Sequence, residues 1–329
     1  MVVSVIVLLG GLGAALLLTP FSRSEGHVYL YLHEGDSRQD VISRLETTAQ
    51  PRRLWAFRLA AAVMCYNHVL PGRYEAGKGV TTLTLLRHLR GGHQDAVMLT
   101  IPPVRTVEDL AGRLSRVLEP DSVALLHAFR DTVTLKGVGC DTANVIALFI
   151  PNTYAVYWNI TPQQLLERMH KESEHFWTPE RRSLAAAIGL QPQEVMTLAS
   201  IVEQETANDA ERPIIAGMYL NRLKAGMKLQ ADPTVKFALG DFSLRRILQV
   251  HLTVDSPYNT YRYEGLPPGP ICVPSLAAIE AVLHYARHDY LYMCAKEDFS
   301  GTHRFAVTYE EHLQNARRYA AALNEREIH

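Results

Sequence analysis

Residues Val2 to Leu18 carry no charged side chain and are almost all apolar or small. A run of that kind leaves three options: a bilayer span, a cleaved leader or a helix hidden in a core. It sits at the short end of the ~17–25 residues that cross a bilayer as a helix, and Phe21 extends it. Thr19-Pro20-Phe21 follows directly, where a leader would want a small-x-small cleavage site, and no basic n-region precedes the run. The reading favoured is an uncleaved transmembrane anchor over residues 2–21. With no Lys or Arg ahead of it, the positive-inside rule gives no orientation.

The remainder reads as an ordinary folded chain. Lys and Arg number 33 against 34 Asp and Glu, a net charge of -1 that gives no reason to expect a nucleic-acid partner. Cys65, Cys140, Cys272 and Cys294 form no CxxC pair, so neither a zinc knuckle nor a dense disulfide framework is expected. They read as buried thiols, with one bridge open to them in an oxidising compartment. His284 and His288 have the i, i+4 spacing of some zinc sites but lack the HExxH pattern, and a surface pair is the better reading. No metal and no cofactor is expected.

Periodicity and punctuation give an α+β chain. His27–Leu32 reads as a strand, Ser37-x-x-Asp40 opens a helix, residues 51–65 form a second, and Thr81–Leu89 a third that stops at Gly91-Gly92. Residues 27–92 therefore make a small domain. A larger domain over 96–329 follows: a strand at 96–101, helices from Thr106, Ser122, Pro162, residue 179, residue 192 and Pro213, a long Pro/Gly/Tyr-rich loop over 251–274, a helix from Leu276, two strands near 290–294 and 304–307, and a closing helix. A structureless stretch as long as 251–274 is uncommon and marks a functional loop.

Residues 192–206 hold the chemistry. On a helix, Val195, Leu198, Ala199 and Val202 share a face, with Glu203 at one edge, Glu205 at the other, and Ser200 and Gln204 on the polar side. A carboxyl against an apolar surface loses hydration and holds its proton to higher pH, to about 6 in some glycosidases. Taken alone, the pattern is better read as two solvated border glutamates, which are common on amphipathic helices. Residues i and i+2 diverge around a helix, so the two cannot flank one bond as a hydrolase pair does.

Further motifs follow in order: Ile214-Ile215-Ala216-Gly217-Met218-Tyr219-Leu220-Asn221-Arg222-Leu223, Gly226 through Val235 with Gln230-Ala231-Asp232-Pro233-Thr234, Ser256-Pro257-Tyr258-Asn259-Thr260-Tyr261, and Gly265-Leu266-Pro267-Pro268-Gly269-Pro270-Ile271. Together with Ser200-Ile201-Val202-Glu203-Gln204-Glu205 they closely resemble the endolytic murein transglycosylases, the YceG-like family. Weaker echoes are Phe149–Tyr154, Tyr290-Leu291-Tyr292 and His303-Arg304-Phe305.

The resemblance implies that Glu203 is the catalytic acid/base. It implies cleavage of the MurNAc–GlcNAc β-1,4 bond within glycan strands, leaving 1,6-anhydroMurNAc ends and limiting nascent strands. The muramyl 6-hydroxyl would serve as nucleophile, so no second carboxylate is required. Asn221, Gln230, Asp232, Thr234, Tyr258, Asn259 and Tyr261 offer donors, acceptors and ring faces for a sugar groove, although Asn221 and Asp232 fit capping or turn roles as well and Asp232-Pro233 reads as a turn starter. The implied partners are peptidoglycan strands, the membrane through the N-terminal helix, and the peptidoglycan synthesis machinery. The implied location is the cytoplasmic membrane with the catalytic domain outside. The small domain, with Glu34-Gly35-Asp36-Ser37, resembles a LysM-like module. Two departures stand out: Asn152 replaces the family's acid in Pro151-Asn152-Thr153-Tyr154, and Pro102-Pro103-Val104 stands where Pro-Glu-Gly is usual. A catalytically silent wall-binding scaffold and a lysozyme-like hydrolase are the alternatives.

Overall fold

A computed structural model describes residues 15–244 and 246–325. The chain divides into two compact units: residues 15–99, 114–121 and 153–161 in the first, and 100–113, 122–152 and 162–325 in the second. The expected anchor falls mostly on residues outside those described. Among the described residues no helix is long and apolar enough to cross a membrane. Phe21, expected to lengthen the anchor, belongs instead to the first unit: it is buried, packs against the Phe57 ring at 5.7 Å, and its N–H donates to the Val80 carbonyl.

The first unit is built on β1 (Tyr29–Leu32), α1 (Arg38–Thr48), α2 (Leu54–Val63), β2 (Gly72–Glu75) and α3 (Thr82–Gly91). Strand β1 alternates, sending Leu30 and Leu32 inward. It pairs antiparallel with β2, in register Tyr29↔Glu75 to Leu32↔Gly72. The segment around Arg73 is therefore a strand that the sequence did not announce. Its local composition gave no run of alternation long enough to see, and its partner lies some forty residues earlier. The capping box expected at Ser37 and Asp40 forms, and α3 ends at Gly92, which adopts the left-handed conformation at φ 67°. Leu30, Leu32, Leu45, Phe57, Tyr74, Leu85 and Leu86 fill the core. The ribbon of β3 (Val97–Thr100) and β4 (Thr153–Val156) completes the strands of this part of the chain.

In the second unit α4 (Val107–Leu114), α5 (Ser122–Arg130), α6 (Thr132–Gly137), α7 (Pro162–Phe176) and α8 (Pro179–Ala187) precede the central helix, α9 (Pro192–Glu205). Against α9 pack α10 (Arg212–Lys224), α11 (Asp232–Leu239) and α12 (Leu276–Leu283). The antiparallel ribbon β5 (Tyr292–Ala295) and β6 (His303–Ala306) carries α13 (Tyr309–Glu325) on one face.

Helix α9 is not the half-exposed amphipathic helix its pattern predicts. Ser200, expected on a polar face, is fully buried; its hydroxyl donates to the Thr197 carbonyl and accepts from the Ile271 N–H. A hydroxyl satisfied in this way costs little inside a core, and periodicity reads it as a surface residue. Asp232-Pro233 likewise opens a helix where a turn was expected, with the proline at the second position, where its missing N–H is harmless. Gly217 lets α10 lie close under the chain after α12: a Cβ there would come within 2.3 Å of the Ala286 carbonyl oxygen.

All four cysteines are free thiols. His284 and His288 do not converge: His284 faces Glu280, while His288 reaches the Ile214 carbonyl at 2.9 Å.

Candidate active site

The last turn of α9 sends consecutive polar side chains into separate surroundings, because each residue advances ~100° around the helix. Glu203 turns toward the start of α12. Its Oε1 accepts from Arg212 at 3.1 Å, and its Oε2 accepts from the hydroxyl and the N–H of Ser275, the residue that caps α12. Arg212 also reaches Asp209 at 2.6 Å. Glu203 thus ties α9, α10 and the N-terminus of α12 together through its hydrogen bonds to Arg212 and Ser275. Gln204 accepts from Arg105 at 3.1 Å and lies against the Cys272 sulfur.

Glu205, about 200° from Glu203 around the helix, faces a cleft of about 270 Å³. Gln230, Asp232, Tyr261, Arg222 and His303 also line this cleft. The Tyr219 hydroxyl donates to Glu205 Oε1 at 2.5 Å. Burial pushes the Glu205 carboxyl up to about 7, against the lowering pull of the Tyr219 hydrogen bond and with a further upward push from Asp232. The Tyr219 hydroxyl is itself held well above its usual range by burial and by the Glu205 charge, so it remains a donor. Across the cleft the Tyr261 hydroxyl donates to Asp232 Oδ1 at 2.6 Å. Burial and the bond to Asp232 keep that phenol protonated too.

Arg222 braces the cleft from below. Its guanidinium donates to the carbonyls of Leu291, Lys228 and Leu229 and to Gln230 Oε1 at 3.2 Å. Gln230 takes a left-handed backbone, φ 52°, that aims its side chain into the cleft. The opposite wall comes from the β5–β6 ribbon. His303 is fixed there by Glu211, whose carboxylate accepts from the His303 N–H at 2.8 Å and contacts Nδ1 at 3.0 Å.

Of the residues expected to bind substrate, Gln230, Asp232 and Tyr261 meet around Glu205, and the others do not join them. Asn221 donates to the His288 and Tyr290 carbonyls, so it pins the chain entering β5. Thr234 and Asn259 are wholly buried: Thr234 bonds to the Ala231 carbonyl and the Thr260 hydroxyl, Asn259 to the Leu252 and Val254 carbonyls and the Tyr261 N–H. They shape the loop over 254–275 from inside. Tyr258 packs on the Phe237 ring and lines a separate cavity with Arg105 and Phe242. Tyr219, Arg222, His303 and Glu211 were not singled out as site residues. All but Glu211 lay inside motifs quoted above, which was the available signal; Glu211 lay in none of them.

An α+β fold whose central helix ends in a carboxyl held near neutrality, in a cleft lined by amide, phenol, carboxylate, guanidinium and imidazole, defines a protein equipped for acid–base chemistry. The chain belongs to the YceG-like family, whose sequence profile matches residues 30–318.

It is similar to the endolytic murein transglycosylase of Streptococcus pneumoniae serotype 2 strain D39, 28% identical over 330 residues that cover 91% of this chain and 59% of that protein. It is also similar to the endolytic murein transglycosylase of Bacillus subtilis strain 168, 42% identical over 132 residues, 40% of this chain and 36% of that protein. The crystal structure of a YceG-like protein from Listeria monocytogenes superposes with a TM-score of 0.57 at 26% identity, covering 88% of this chain and 99% of that one. The chain spans about three fifths of the length of the pneumococcal relatives.

Proposed function

We propose that this chain is an endolytic peptidoglycan lytic transglycosylase in which the acid/base is Glu205, two residues beyond the glutamate the resemblance selects. The observation that carries the reading is the Glu205 carboxyl, held by burial at about 7 in the cleft that also contains Gln230, Asp232 and Tyr261. A general acid works best with a pKa near the working pH. Glu203 supports a different role, since both of its oxygens already accept hydrogen bonds from Arg212 and Ser275.

In the proposed reaction, protonated Glu205 gives its proton to the oxygen linking MurNAc C1 to GlcNAc, and that C1–O bond breaks. The muramyl 6-hydroxyl then bonds to C1 and returns its proton to Glu205. No water is consumed and the enzyme ends as it began. Tyr219 steadies the Glu205 carboxylate between the two transfers. Asp232, oriented by Tyr261, offers a negative charge to the oxocarbenium-like centre. The presence of Asp232 beside Glu205 also supports a second reading, hydrolysis with Asp232 activating a water.

The β-α-α-β order at the start of the first unit supports a LysM-like module for glycan, and the apolar run over 2–18 supports a membrane anchor with the active site on the outer side.

Mass spectrometry of digested glycan strands tests the whole reading. Anhydromuramyl products from the wild type are expected, falling by ~10²–10⁴-fold in Glu205→Gln and persisting in folded Glu203→Gln. Reducing-end muramyl products select hydrolysis. A silent wild type makes the chain a scaffold. Loss in Glu203→Gln alone, with its melting unchanged, returns the role to Glu203.

A further inference from the structure

Helix α2 turns an apolar face to solvent. Trp55, Leu59 and Val63 follow each other at i, i+4 and i+8, and are 56%, 60% and 74% exposed. The opposite face, Ala56, Phe57, Ala60 and Ala61, is locked in the core of the first unit. The helix therefore cannot rotate to hide the outer stripe. Beside that stripe runs the helical turn over 15–18. Leu16 and Leu17 join Trp55, Leu59, Val63 and Met64 around an almost wholly apolar notch of about 180 Å³. Leu18 is 61% exposed next to it.

The charged residues of α2 and of the segment that leads into it are of one sign. Arg52 and Arg53 precede the helix, Arg58 lies along the edge of the stripe, all three are exposed, and α2 contains no acidic residue. In a chain of net charge -1 that is a local concentration of positive charge. An apolar face with a tryptophan, rimmed by arginines, is the pattern of a helix lying in the headgroup region of a bilayer. In sequence, the uncharged run over 2–14 leads directly into Leu16 and Leu17, which line this notch.

We propose that the outer face of α2 and the turn over 15–18 form a membrane seat. The face sinks into the interfacial layer of a bilayer containing anionic lipid, with an acyl chain in the notch and the three arginines on headgroup phosphates. The first unit is thereby held flat on the bilayer by a second contact, distinct from any span made by the N-terminal run. The inference is independent of the reaction proposed above.

The test uses the full chain in phosphatidylcholine–phosphatidylglycerol vesicles whose acyl chains carry bromine, a contact quencher of tryptophan. The Trp55 signal is the difference in emission between wild type and Trp55→Phe. A loss of at least half of that signal, relative to unbrominated vesicles, is expected. The double variant Leu59→Glu, Val63→Glu should abolish the quenching while the protein still floats with the vesicles and keeps its far-ultraviolet dichroism. Replacing Arg52, Arg53 and Arg58 by Gln should remove the dependence on phosphatidylglycerol. A Trp55 signal indifferent to bromine overturns the proposal. So does a Trp55 shielded from iodide but not quenched by bromine, which would mean a protein covers the face.

Discussion

Glu203 and Glu205 show how much one residue's surroundings decide. Both sit on the last turn of α9. One is occupied by Arg212 and Ser275, the other is half-buried beside Tyr219 in a polar cleft. The difference has a thermodynamic signature. The Glu205 carboxyl rises from 4.5 to about 7 on folding, so the native state holds its proton more tightly than the unfolded chain does. The Glu205 contribution to stability is then fully present below pH 4.5, falls as the pH climbs towards 7, and stays lowered by roughly 3 kcal/mol above it. Glu205→Gln, which mimics the protonated acid and keeps an acceptor for Tyr219, should melt above the wild type at pH 8 and level with it at pH 4, as scanning calorimetry would read. Equal melting at both pH values would remove the shift. Wild-type glycan cleavage should fall about tenfold per pH unit above ~7, as the acid form is lost. None of this separates the two glutamates in the sequence. Both border the same apolar stripe, and what distinguishes them, Arg212 and Ser275 against Tyr219 and Asp232, is brought in from other elements.

At the level of elements, the sequence announced those with local signals and hid those whose stability is borrowed. The capping box of α1, the prolines opening α7, α8 and α9, and the glycine stop of α3 were all legible, because capping and backbone preference act within a few residues. Strand β2 and helix α11 were not, since β2 is held by a remote partner and α11 follows an Asp-Pro pair that also suits a turn. The long loop expected over 251–274 forms beyond a short helical turn at His251–Thr253, but its organisation was not foreseen: Thr234 and Asn259 were expected to face sugar and are instead buried, bonded to the Thr260 hydroxyl and to the Leu252 and Val254 carbonyls. Close approach of elements is equally silent in a sequence. Gly217→Ala would drive a methyl into the Ala286 carbonyl and the His288 ring. It should cost about 1–3 kcal/mol, the usual range for overpacking, seen as an earlier urea midpoint. An unchanged midpoint would mean that the 286–288 segment yields freely.

Over the whole molecule, the thiols give a graded report of native structure. Cys65 is exposed, Cys294 is half-buried, and Cys140 and Cys272 are buried, with burial pushing their thiols up to about 11 and about 12. Under native conditions alkylation followed by mass spectrometry should therefore mark Cys65 first, Cys294 more slowly, and the other two only as the second unit unfolds. Early labelling of Cys272 would show that α9 and the loop beside it open on their own. The order of the cleft's parts along the chain carries a different consequence, for the making of the protein. Glu205 and Tyr219 emerge within a few seconds of each other during synthesis, at roughly 5–20 residues per second, but the wall bearing Cys294 and His303 arrives only after about eighty further residues. Until that ribbon docks, the nascent chain has Glu205 without the opposite wall of its cleft, so under the proposed reaction a chain nicked before the ribbon should not cleave glycan.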